Sequence, residues 1–337
     1  MYHNLILIKM KKKLNIALIG SNFALKSYLP VIKKTNQLNL KIICSRNILK
    51  IKDKIDYSRK ITLETDWKVL FEKKIDLIVC AVPPLVQERI LIYNLKYKKK
   101  IIFEKPISSN FLKSKYIVKK IKEKKIPCEI NLTFLFHPLF IKVKNIVKNG
   151  NLGKVINYKI KWSFISYDLN KKIVSWKTNE LKGGGIKNIF LTHVLSYCEF
   201  FFGTNKLIKF NFTKVKFKKL NFKNKISCEL ENSDLITGKV DILTKKNGHQ
   251  SHYIRIVFEK GYIDLYTKSP DWTKDFVLKI VYKNSNKIKY EKTLIRQKFK
   301  DGRSNQIYYL FAKFLKKSNY NNLSYCLNAE KINKKIN

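Results

Sequence analysis

In the N-terminal part of the chain, short apolar runs alternate with longer amphipathic stretches. The runs cover residues 14–20, 40–44, 77–82, 101–103 and 127–132, and each is short enough for a strand that is buried on both faces. The stretches between them predict helices. Because alternating strands and helices of these lengths form a parallel, doubly wound sheet, the pattern predicts an α/β domain of that type.

The pattern changes in the second part of the chain. Residues 138–148 carry apolar side chains at helical spacing, whereas residues 154–165 alternate between apolar and polar positions. Alternating segments recur at 207–222, 235–244 and 253–266, as is typical of half-buried antiparallel strands. We therefore expect a doubly wound domain over residues 10–126 and an α+β domain with a large, mostly antiparallel sheet over residues 127–337. Residues 1–9 are expected to be a loose extension or a misassigned start, since the natural beginning looks like Met10.

The net charge of +47 is open to more than one explanation. The chain has 71 Lys and Arg residues against 24 Asp and Glu, a balance that fits nucleic acid, an acidic membrane surface or a phosphorylated substrate. Arg is scarce, however, and base readers depend on its bidentate fork, so the composition argues against sequence-specific nucleic-acid recognition. The excess of Lys, Asn, Ile, Tyr and Phe is what codon bias in an AT-rich genome produces. A nucleic-acid-binding function would therefore rest on charge alone.

Cysteine and histidine spacing predicts neither disulfides nor a metal site. No CxxC pair and no HExxH motif is present, and most of the cysteines lie in apolar runs, so we expect reduced core thiols at Cys44, Cys80, Cys128, Cys198, Cys228 and Cys326. No run approaches the ~18 apolar residues of a membrane span, and the N-terminal apolar patch is too short for a signal peptide. We expect a cytoplasmic protein without a membrane partner.

The triplet Glu104-Lys105-Pro106 directly follows the predicted strand at 101–103. Lys105 therefore lies at the carboxyl end of a strand, where open α/β sheets bind their ligands. Pro83 and Pro84 end the preceding strand at the same edge of the sheet. On position alone, Lys105 is either a functional group or one more surface lysine.

The turn after the first strand resembles an incomplete GxGxxG motif. Gly20, Asn22 and Leu25 occupy the three glycine positions. Gly20 can form the tight turn, and Asn22 is expected to tolerate a left-handed backbone, so that pyrophosphate could lie at the start of the helix. Leu25 is expected to hold the helix slightly away from the sheet, unless the register slips locally.

The end of the second strand distinguishes the two nicotinamide dinucleotides. An NAD enzyme has Asp or Glu there for the ribose hydroxyls, whereas this chain has Ser45 and Arg46. Arg46 could pair with a 2′-phosphate and Ser45 could donate a hydrogen bond to it, which favours NADP over NAD. The alternative is an exposed arginine on a loop.

A third cluster begins with three consecutive glycines at 183–185 and continues into an apolar helix that contains His193. Glycines permit close approach of the backbone. A histidine in an apolar helix is commonly a core residue, but its position after a glycine loop makes a functional role equally plausible.

These motifs together resemble the Gfo/Idh/MocA oxidoreductases, the family of glucose-fructose oxidoreductase and inositol 2-dehydrogenase. The resemblance rests on the series from Asp76 to Pro84, on Glu104-Lys105-Pro106, on the turn at 151–155 and on the glycine-rich helix. It implies a Rossmann domain, a C-terminal domain with an open sheet that makes homodimers or homotetramers, and hydride transfer between nicotinamide C4 and a sugar or cyclitol carbon. It also implies a cis peptide bond at Lys105-Pro106.

The resemblance assigns Lys105 and His193 as the catalytic residues and implies no metal. The residues expected to bind the cofactor are Gly20, Ser21, Asn22, Phe23, Ser45, Arg46, Pro83, Pro84, Glu104, Lys105 and Pro106. Polar residues that could line a sugar pocket, each equally plausible as a structural residue, are Asn131, His137, Tyr167, Trp176 and Lys177.

The chain departs from the family pattern at three positions. Ile189 replaces the usual Asp four residues before the histidine, Leu191 replaces a glycine, and Gln87 replaces the usual His after the Pro-Pro turn. Asn188 or a shifted register could compensate for Ile189. Two hypotheses follow: an NADP-dependent oxidoreductase acting on a sugar, sugar nucleotide or cyclitol, or a catalytically impaired relative that binds dinucleotide or sugar as a sensor or scaffold.

Overall fold

In a computed structural model of the protein, the described residues are 13–52, 61–217, 220–245, 247–283, 288–292, 298–316 and 320–336. They form two compact units. The first contains the described residues up to Leu132 and those between positions 297 and 327, and the second contains those between 133 and 296 and from Asn328 onward. Residues 1–9, for which the sequence suggests an extension, lie outside the described residues.

The first unit is built on a six-stranded sheet with the order β3-β2-β1-β4-β5-β6. All neighbouring strands are parallel. The strands are β1 (Leu14–Ile19), β2 (Leu38–Cys44), β3 (Thr62–Glu64), β4 (Leu77–Cys80), β5 (Lys100–Glu104) and β6 (Cys128–Asn131). The prediction of a doubly wound parallel sheet is confirmed, and the strand order reverses between β1 and β4, where folds of this kind bind ligands.

Helices connect these strands and cover the sheet. The helices are α1 (Leu29–Lys34), α2 (Leu49–Lys52), α3 (Pro84–Tyr97) and α4 (Phe111–Glu123). A π-helical segment, Ala24–Tyr28, directly precedes α1. Pro84 occupies the first turn of α3, where its missing N–H costs nothing, and Asn110 caps α4 by accepting a hydrogen bond from the N–H of Leu112. All four residues of β4 are buried, which explains the continuous apolar run in its sequence.

The second unit contains an eight-stranded sheet with the order β14-β13-β12-β11-β7-β10-β9-β8. Only the β7–β10 pair among its neighbours is parallel, so the predicted mostly antiparallel sheet is confirmed. The elements are α5 (Pro138–Asn149), β7 (Val155–Ile165), α6 (Tyr167–Asn170), α7 (Thr192–Phe202), β8 (Asn205–Phe217), β9 (Leu220–Asn232), β10 (Thr237–Lys245), β11 (Ser251–Phe258), β12 (Gly261–Thr267), β13 (Val277–Tyr282) and β14 (Ile288–Lys292).

One face of this sheet is buried beneath two helices. Every second residue of β11 is buried, as the alternating sequence predicts. Phe140 of α5 and Tyr197 of α7 have ring centroids 5.3 Å apart, and the Tyr197 hydroxyl is 2.9 Å from Nε2 of His252 on β11. The helices α5 and α7 therefore cover the apolar face, and aromatic rings fill the space between them and the strands.

The division between the units differs from the predicted boundary at residue 126/127. β6 pairs with β5 and completes the first sheet, so the division falls after Leu132. Two helices follow the second sheet, α8 (Gly302–Lys316) and α9 (Asn321–Lys335), and α8 returns to the first unit, where it packs against α1 and the π-helical segment. An amphipathic helix pattern does not reveal which sheet the helix covers, which is why the sequence did not predict this return.

The cysteines agree with the prediction of reduced core thiols. All six are buried and free. Burial raises the pKa of Cys44 to about 12, so this thiol stays protonated at neutral pH. Within the described ranges no group of three or more His, Cys, Asp or Glu side chains could hold a metal ion, and no helix is long and apolar enough to cross a membrane.

Candidate active site

The carboxyl edge of the first sheet brings most of the predicted cofactor residues together. Gly20 follows β1, Ser45 follows β2, Pro83 follows β4, and Glu104 ends β5. The N–H of Gly20 donates to the carbonyl of Cys44 at 2.9 Å, which holds the ends of β1 and β2 side by side. A ligand that follows this edge would therefore contact the residues of all four strand ends.

Gly20 is required by the close approach of two strand ends. Its φ of 123° lies where other residues are strained, and a Cβ atom built on it would lie 2.3 Å from the carbonyl oxygen of Ala81 after β4. The tight turn predicted for Gly20 is therefore present.

The remainder of this turn differs from the sequence expectation. Asn22 has a helical backbone and is exposed, so it does not adopt the left-handed conformation that it was expected to tolerate. Leu25 lies in the π-helical segment, whose wider turn changes the register of the side chains. As a result Ala24, and not Leu25, is the helix residue that faces Gly20, with its Cβ 3.1 Å from a Cβ atom built on the glycine, and Leu25 is buried. The local slip of register is thus the alternative that the structure supports.

Phe23 and Ser21 complete the turn, and both are half-buried. The Phe23 ring packs edge-on against Tyr28 with centroids 5.7 Å apart. This contact links the turn to a tyrosine that the sequence did not single out.

At the end of β2, Ser45 and Arg46 are placed differently. Ser45 is half-buried, and its hydroxyl oxygen accepts a hydrogen bond from the N–H of Asn47 at 3.3 Å. Arg46 is exposed and forms no ion pair with any described residue. This position is compatible with both alternatives, an arginine that binds an anion and an exposed arginine on a loop.

Glu104 is held by two buried neighbours. Its Oε1 accepts hydrogen bonds from the Tyr28 hydroxyl at 2.6 Å and from Nδ2 of Asn131 at 2.8 Å. Burial raises the pKa of the Glu104 carboxyl, while these two bonds and the charge of Lys105 oppose the rise. Asn131 is fully buried and bonds this carboxyl, which supports the structural alternative for this residue.

Gln87 fixes the backbone on both sides of Lys105. Its Nε2 donates to the carbonyls of Glu104, Pro106 and Ile107 at 2.6, 2.9 and 3.1 Å, and its Oε1 accepts from the N–H of Glu104 at 2.9 Å. The Lys105-Pro106 bond is cis, as the resemblance implies, and Lys105 itself is half-buried. The residue that departs from the family pattern thus binds the lysine loop directly.

His193 belongs to the second unit, so its surroundings are those of that unit. It follows the π-helical segment Lys187–Leu191 at the start of α7 and is 4% exposed. Its ring centroid is 5.5 Å from that of Phe134 and 5.9 Å from that of Trp272. An aromatic environment therefore surrounds this histidine.

The glycine loop before His193 is tightly packed. A Cβ atom on Gly184 would lie 2.0 Å from the carbonyl oxygen of Trp176. Asn188 lies five residues before His193, the spacing of a π turn, but its Nδ2 donates to the carbonyl of Gly184 at 2.9 Å. The amide nitrogen of Asn188 therefore stabilises the loop, and Ile189 is half-buried without supplying a carboxylate.

The other predicted pocket residues differ in how far their side chains are exposed to solvent. His137 is buried, its Nδ1 accepts from the N–H of Leu139 at 3.2 Å, and burial lowers its pKa to about 3. These observations support the structural alternative for His137. Trp176 is half-buried, whereas Lys177 and Tyr167 are exposed.

The strand order of the first unit, the glycine turn and the arginine after the second strand define a dinucleotide-binding α/β protein. Residues 14–132 match the oxidoreductase family model with an NAD-binding Rossmann fold, and residues 144–325 match the model of the C-terminal alpha/beta domain of that family. The chain belongs to the Gfo/Idh/MocA family of oxidoreductases, as its motifs suggest.

Curated relatives are distant and match mainly in part. An uncharacterised oxidoreductase of Schizosaccharomyces pombe is 26% identical over 41% of this chain and 37% of its own length. The NAD(+)-dependent scyllo-inositol 2-dehydrogenase of Bacillus subtilis is 28% identical over 28% of each chain. An uncharacterised oxidoreductase of Synechocystis is 20% identical over 78% of this chain and 74% of its own length.

Solved structures match over nearly the whole chain. KijD10, a 3-ketoreductase from Actinomadura kijaniata solved with TDP-benzene and NADP, has a TM-score of 0.75 at 13% identity, covering 96% of each chain. A levoglucosan dehydrogenase solved with NADH and levoglucosan has a TM-score of 0.78 at 14% identity, covering 97% of this chain and 98% of its own. At such low identity these similarities establish the fold.

Proposed function

We propose that this protein is an NADP-dependent oxidoreductase that transfers hydride between nicotinamide and a hydroxyl-bearing carbon of a sugar, sugar nucleotide or cyclitol. The observation that carries the proposal is the setting of Lys105. It lies at the carboxyl end of β5, next to the half-buried Glu104 and inside a backbone segment fixed by Gln87. A lysine on an exposed loop would need no such support.

The residues at this edge fit a dinucleotide. Gly20 keeps the turn narrow, and the half-buried Pro83 leaves the end of β4 without a long side chain. Ser45 and Arg46 supply a hydroxyl and a cation where a 2′-phosphate would lie. These features support NADP over NAD.

Lys105 would handle the proton of the reaction. When bound, the nicotinamide accepts the hydride during oxidation and supplies it during reduction. During oxidation the ε-amino nitrogen of Lys105 takes the proton of the substrate hydroxyl, and during reduction it returns that proton to the forming hydroxyl. The Gln87 contacts hold the lysine backbone in place, which lowers the entropic cost of aligning its amine with the substrate.

His193 is proposed as the second catalytic group, which hydrogen-bonds the reacting oxygen. With Ile189 at the usual Asp position, the motif supplies no carboxylate to stabilise a charged imidazole. Most of the proton transfer is therefore assigned to Lys105.

Fluorescence titration with NADPH and NADH tests the cofactor assignment. We expect wild-type protein to bind NADPH more tightly than NADH, and Arg46→Met to weaken NADPH binding by about tenfold to a hundredfold while leaving NADH unchanged, since it removes only charge-assisted bonds to the 2′-phosphate. Arg89→Met, which removes an exposed arginine of α3, serves as the control. Preference for NADH in the wild type would contradict the role given to Arg46.

A catalytically impaired sensor or scaffold is the second candidate. Ile189 and the non-glycine Asn22 favour it, because each replaces a residue that the family uses at its site. Tight NADPH binding without turnover of any sugar, sugar nucleotide or cyclitol would support this function over the oxidoreductase.

A further inference from the structure

A polar cluster joins α8 to the helical stretch that follows β1. The Ser27 hydroxyl donates to Oδ2 of Asp301 at 2.7 Å, and the Ser304 hydroxyl donates to the carbonyl of Ser27 at 2.9 Å. These residues are separated by more than 270 positions in the sequence but belong to the same compact unit. These hydrogen bonds hold the start of α8 against the π-helical segment Ala24–Tyr28.

Arg303 is held in a fixed orientation within this cluster. Its Nε and Nη2 donate to Oδ1 and Oδ2 of Asp301 at 2.9 and 3.0 Å, a bidentate pair. Burial opposes ionisation of Asp301, but the bonds from Arg303 and Ser27 outweigh it and lower the pKa of this carboxyl. The planar guanidinium therefore cannot rotate freely, and its Nη1 forms no hydrogen bond with a described residue.

Arg303 lies close to the carboxyl edge of the first sheet, where the cofactor residues are predicted. Its guanidinium carbon is 5.1 Å from the ring centroid of Phe23, in the turn that follows Gly20. Burial raises the pKa of Glu104, and the charge of Arg303 is among the effects that oppose this rise. A fixed cation whose Nη1 has no hydrogen-bond partner among the described residues therefore lies within electrostatic reach of both the turn and the end of β5.

Helix capping does not explain this arrangement. Oδ1 of Asp301 accepts from the backbone N–H of Arg303 at 3.1 Å, which caps α8 without any contribution from the arginine side chain. The turn, in contrast, lacks the second glycine that lets the backbone approach a pyrophosphate closely, since Asn22 occupies that position. The guanidinium of Arg303 beside the turn would replace the main-chain contacts with pyrophosphate that a glycine at this position allows.

We propose that Arg303 binds the pyrophosphate common to NADPH and NADH through its Nη1 edge, and that Asp301 is a positioning residue that orients the guanidinium. This inference rests on the proposed function, because it requires a dinucleotide at the carboxyl edge of the sheet. Unlike Arg46, Arg303 would not distinguish the two nucleotides.

Dissociation constants for NADPH and NADH test the inference. Arg303→Met is expected to weaken both by the same factor, about tenfold to a hundredfold, because charge-assisted hydrogen bonds are lost. The affinity of this variant should also depend less steeply on salt concentration, which a merely structural change would not cause. The matched control is Arg255→Met, because Arg255 forms a bidentate pair with Asp264 at 2.7 Å and lies over the Tyr262 ring in the second unit. Arg255→Met should bind both nucleotides as the wild type does.

A second variant separates binding from folding. Arg303→Met leaves the carboxylate of Asp301 without its main partner, whereas Arg303→Met/Asp301→Asn removes that charge as well. The double variant should fold, as measured by circular dichroism, and show the same loss of affinity. Wild-type affinity in either variant would overturn the inference alone. Failure of the wild-type protein to bind either nucleotide would overturn the proposed function together with the inference.

Discussion

At the scale of single residues, Glu104 is a carboxyl of the candidate site whose pKa is raised by burial. Its bonds with Tyr28 and Asn131 join side chains from the first helical stretch, β5 and β6. The sequence located Glu104 through its neighbour Lys105, but it could not predict these partners, because they come from strands and helices far apart in the chain.

The raised pKa of Glu104 predicts a pH-dependent change in stability. A carboxyl whose pKa is higher in the fold than in the unfolded chain stabilises the fold below its ordinary pKa, and this contribution is lost as pH rises through the raised value. Glu104→Gln keeps an acceptor for Tyr28 and Asn131 and has no charge to bury. We expect it to raise the melting temperature at about pH 8 and to have little effect at about pH 4.

Thermal unfolding at the two pH values measures this difference. Glu123→Gln provides a matched control, because Glu123 is an exposed glutamate whose pKa is lowered by its bond with Lys120. That variant should not gain stability at high pH. A melting temperature of Glu104→Gln that stays below the wild-type value at about pH 8 would show that the carboxylate is stabilising.

At the scale of secondary structure elements, the two π-helical segments explain where motif spacing failed. Ala24–Tyr28 shifts the register of the first helix, and Lys187–Leu191 does so just before His193. Sequence patterns assume 3.6 residues per turn, so Leu25 was assigned by a spacing that the helix does not keep, whereas Asn22 lies before the π-helical segment and keeps its motif position. The sequence located β1, β2, β4, β5, β6, β7 and β10, whereas the predicted segments 207–222 and 253–266 each run across two strands and the turn between them, and β3, β13 and β14 were not predicted.

Helix α3 supports the backbone around Lys105 through the side chain of Gln87. Replacing this side chain is expected to lower both the stability of the protein and its activity. Gln87→Leu would leave the N–H of Glu104 and nearby carbonyls buried without this partner, at a cost of about 1–3 kcal/mol. Because the backbone around Lys105 loses its restraint, kcat should also fall, whereas NADPH affinity should change less.

Asn94 offers the matched control on the same helix. Its Nδ2 donates to the carbonyl of Lys99 and its Oδ1 accepts from the N–H of Lys99, both at 2.9 Å, at the other end of α3. Asn94→Leu should lower stability by a similar amount, measured by urea unfolding, and leave kcat unchanged. Equal losses of kcat in the two variants would mean that Gln87 acts only through general stability.

At the scale of the whole molecule, the sequence predicted a parallel sheet followed by a mostly antiparallel one. It did not predict that α8, which follows the second sheet in the chain, belongs to the first unit. Alternation of apolar runs indicated both sheets, and short motifs indicated the family. The return of α8 to the first unit depends on contacts such as Ser27 with Asp301, which no local pattern reveals. Arg303 was for that reason absent from the residues predicted to bind the cofactor.

The net charge of +47 is also a property of the whole molecule. A strongly positive field attracts polyanions without specificity, and it equally favours the encounter with an anionic dinucleotide. Codon bias in an AT-rich genome explains the excess of lysine without a nucleic-acid partner, and the expectation that no specific nucleic acid binds stays a prediction.

The most direct test of the central claim is deuterium transfer from NADPH labelled at nicotinamide C4 to a keto sugar, followed by mass spectrometry of the product. The wild-type protein is expected to place one deuterium on the reduced carbon, and Lys105→Met, which cannot supply the proton, is expected to bind NADPH but transfer none. Transfer by Lys105→Met at the wild-type rate would contradict the account.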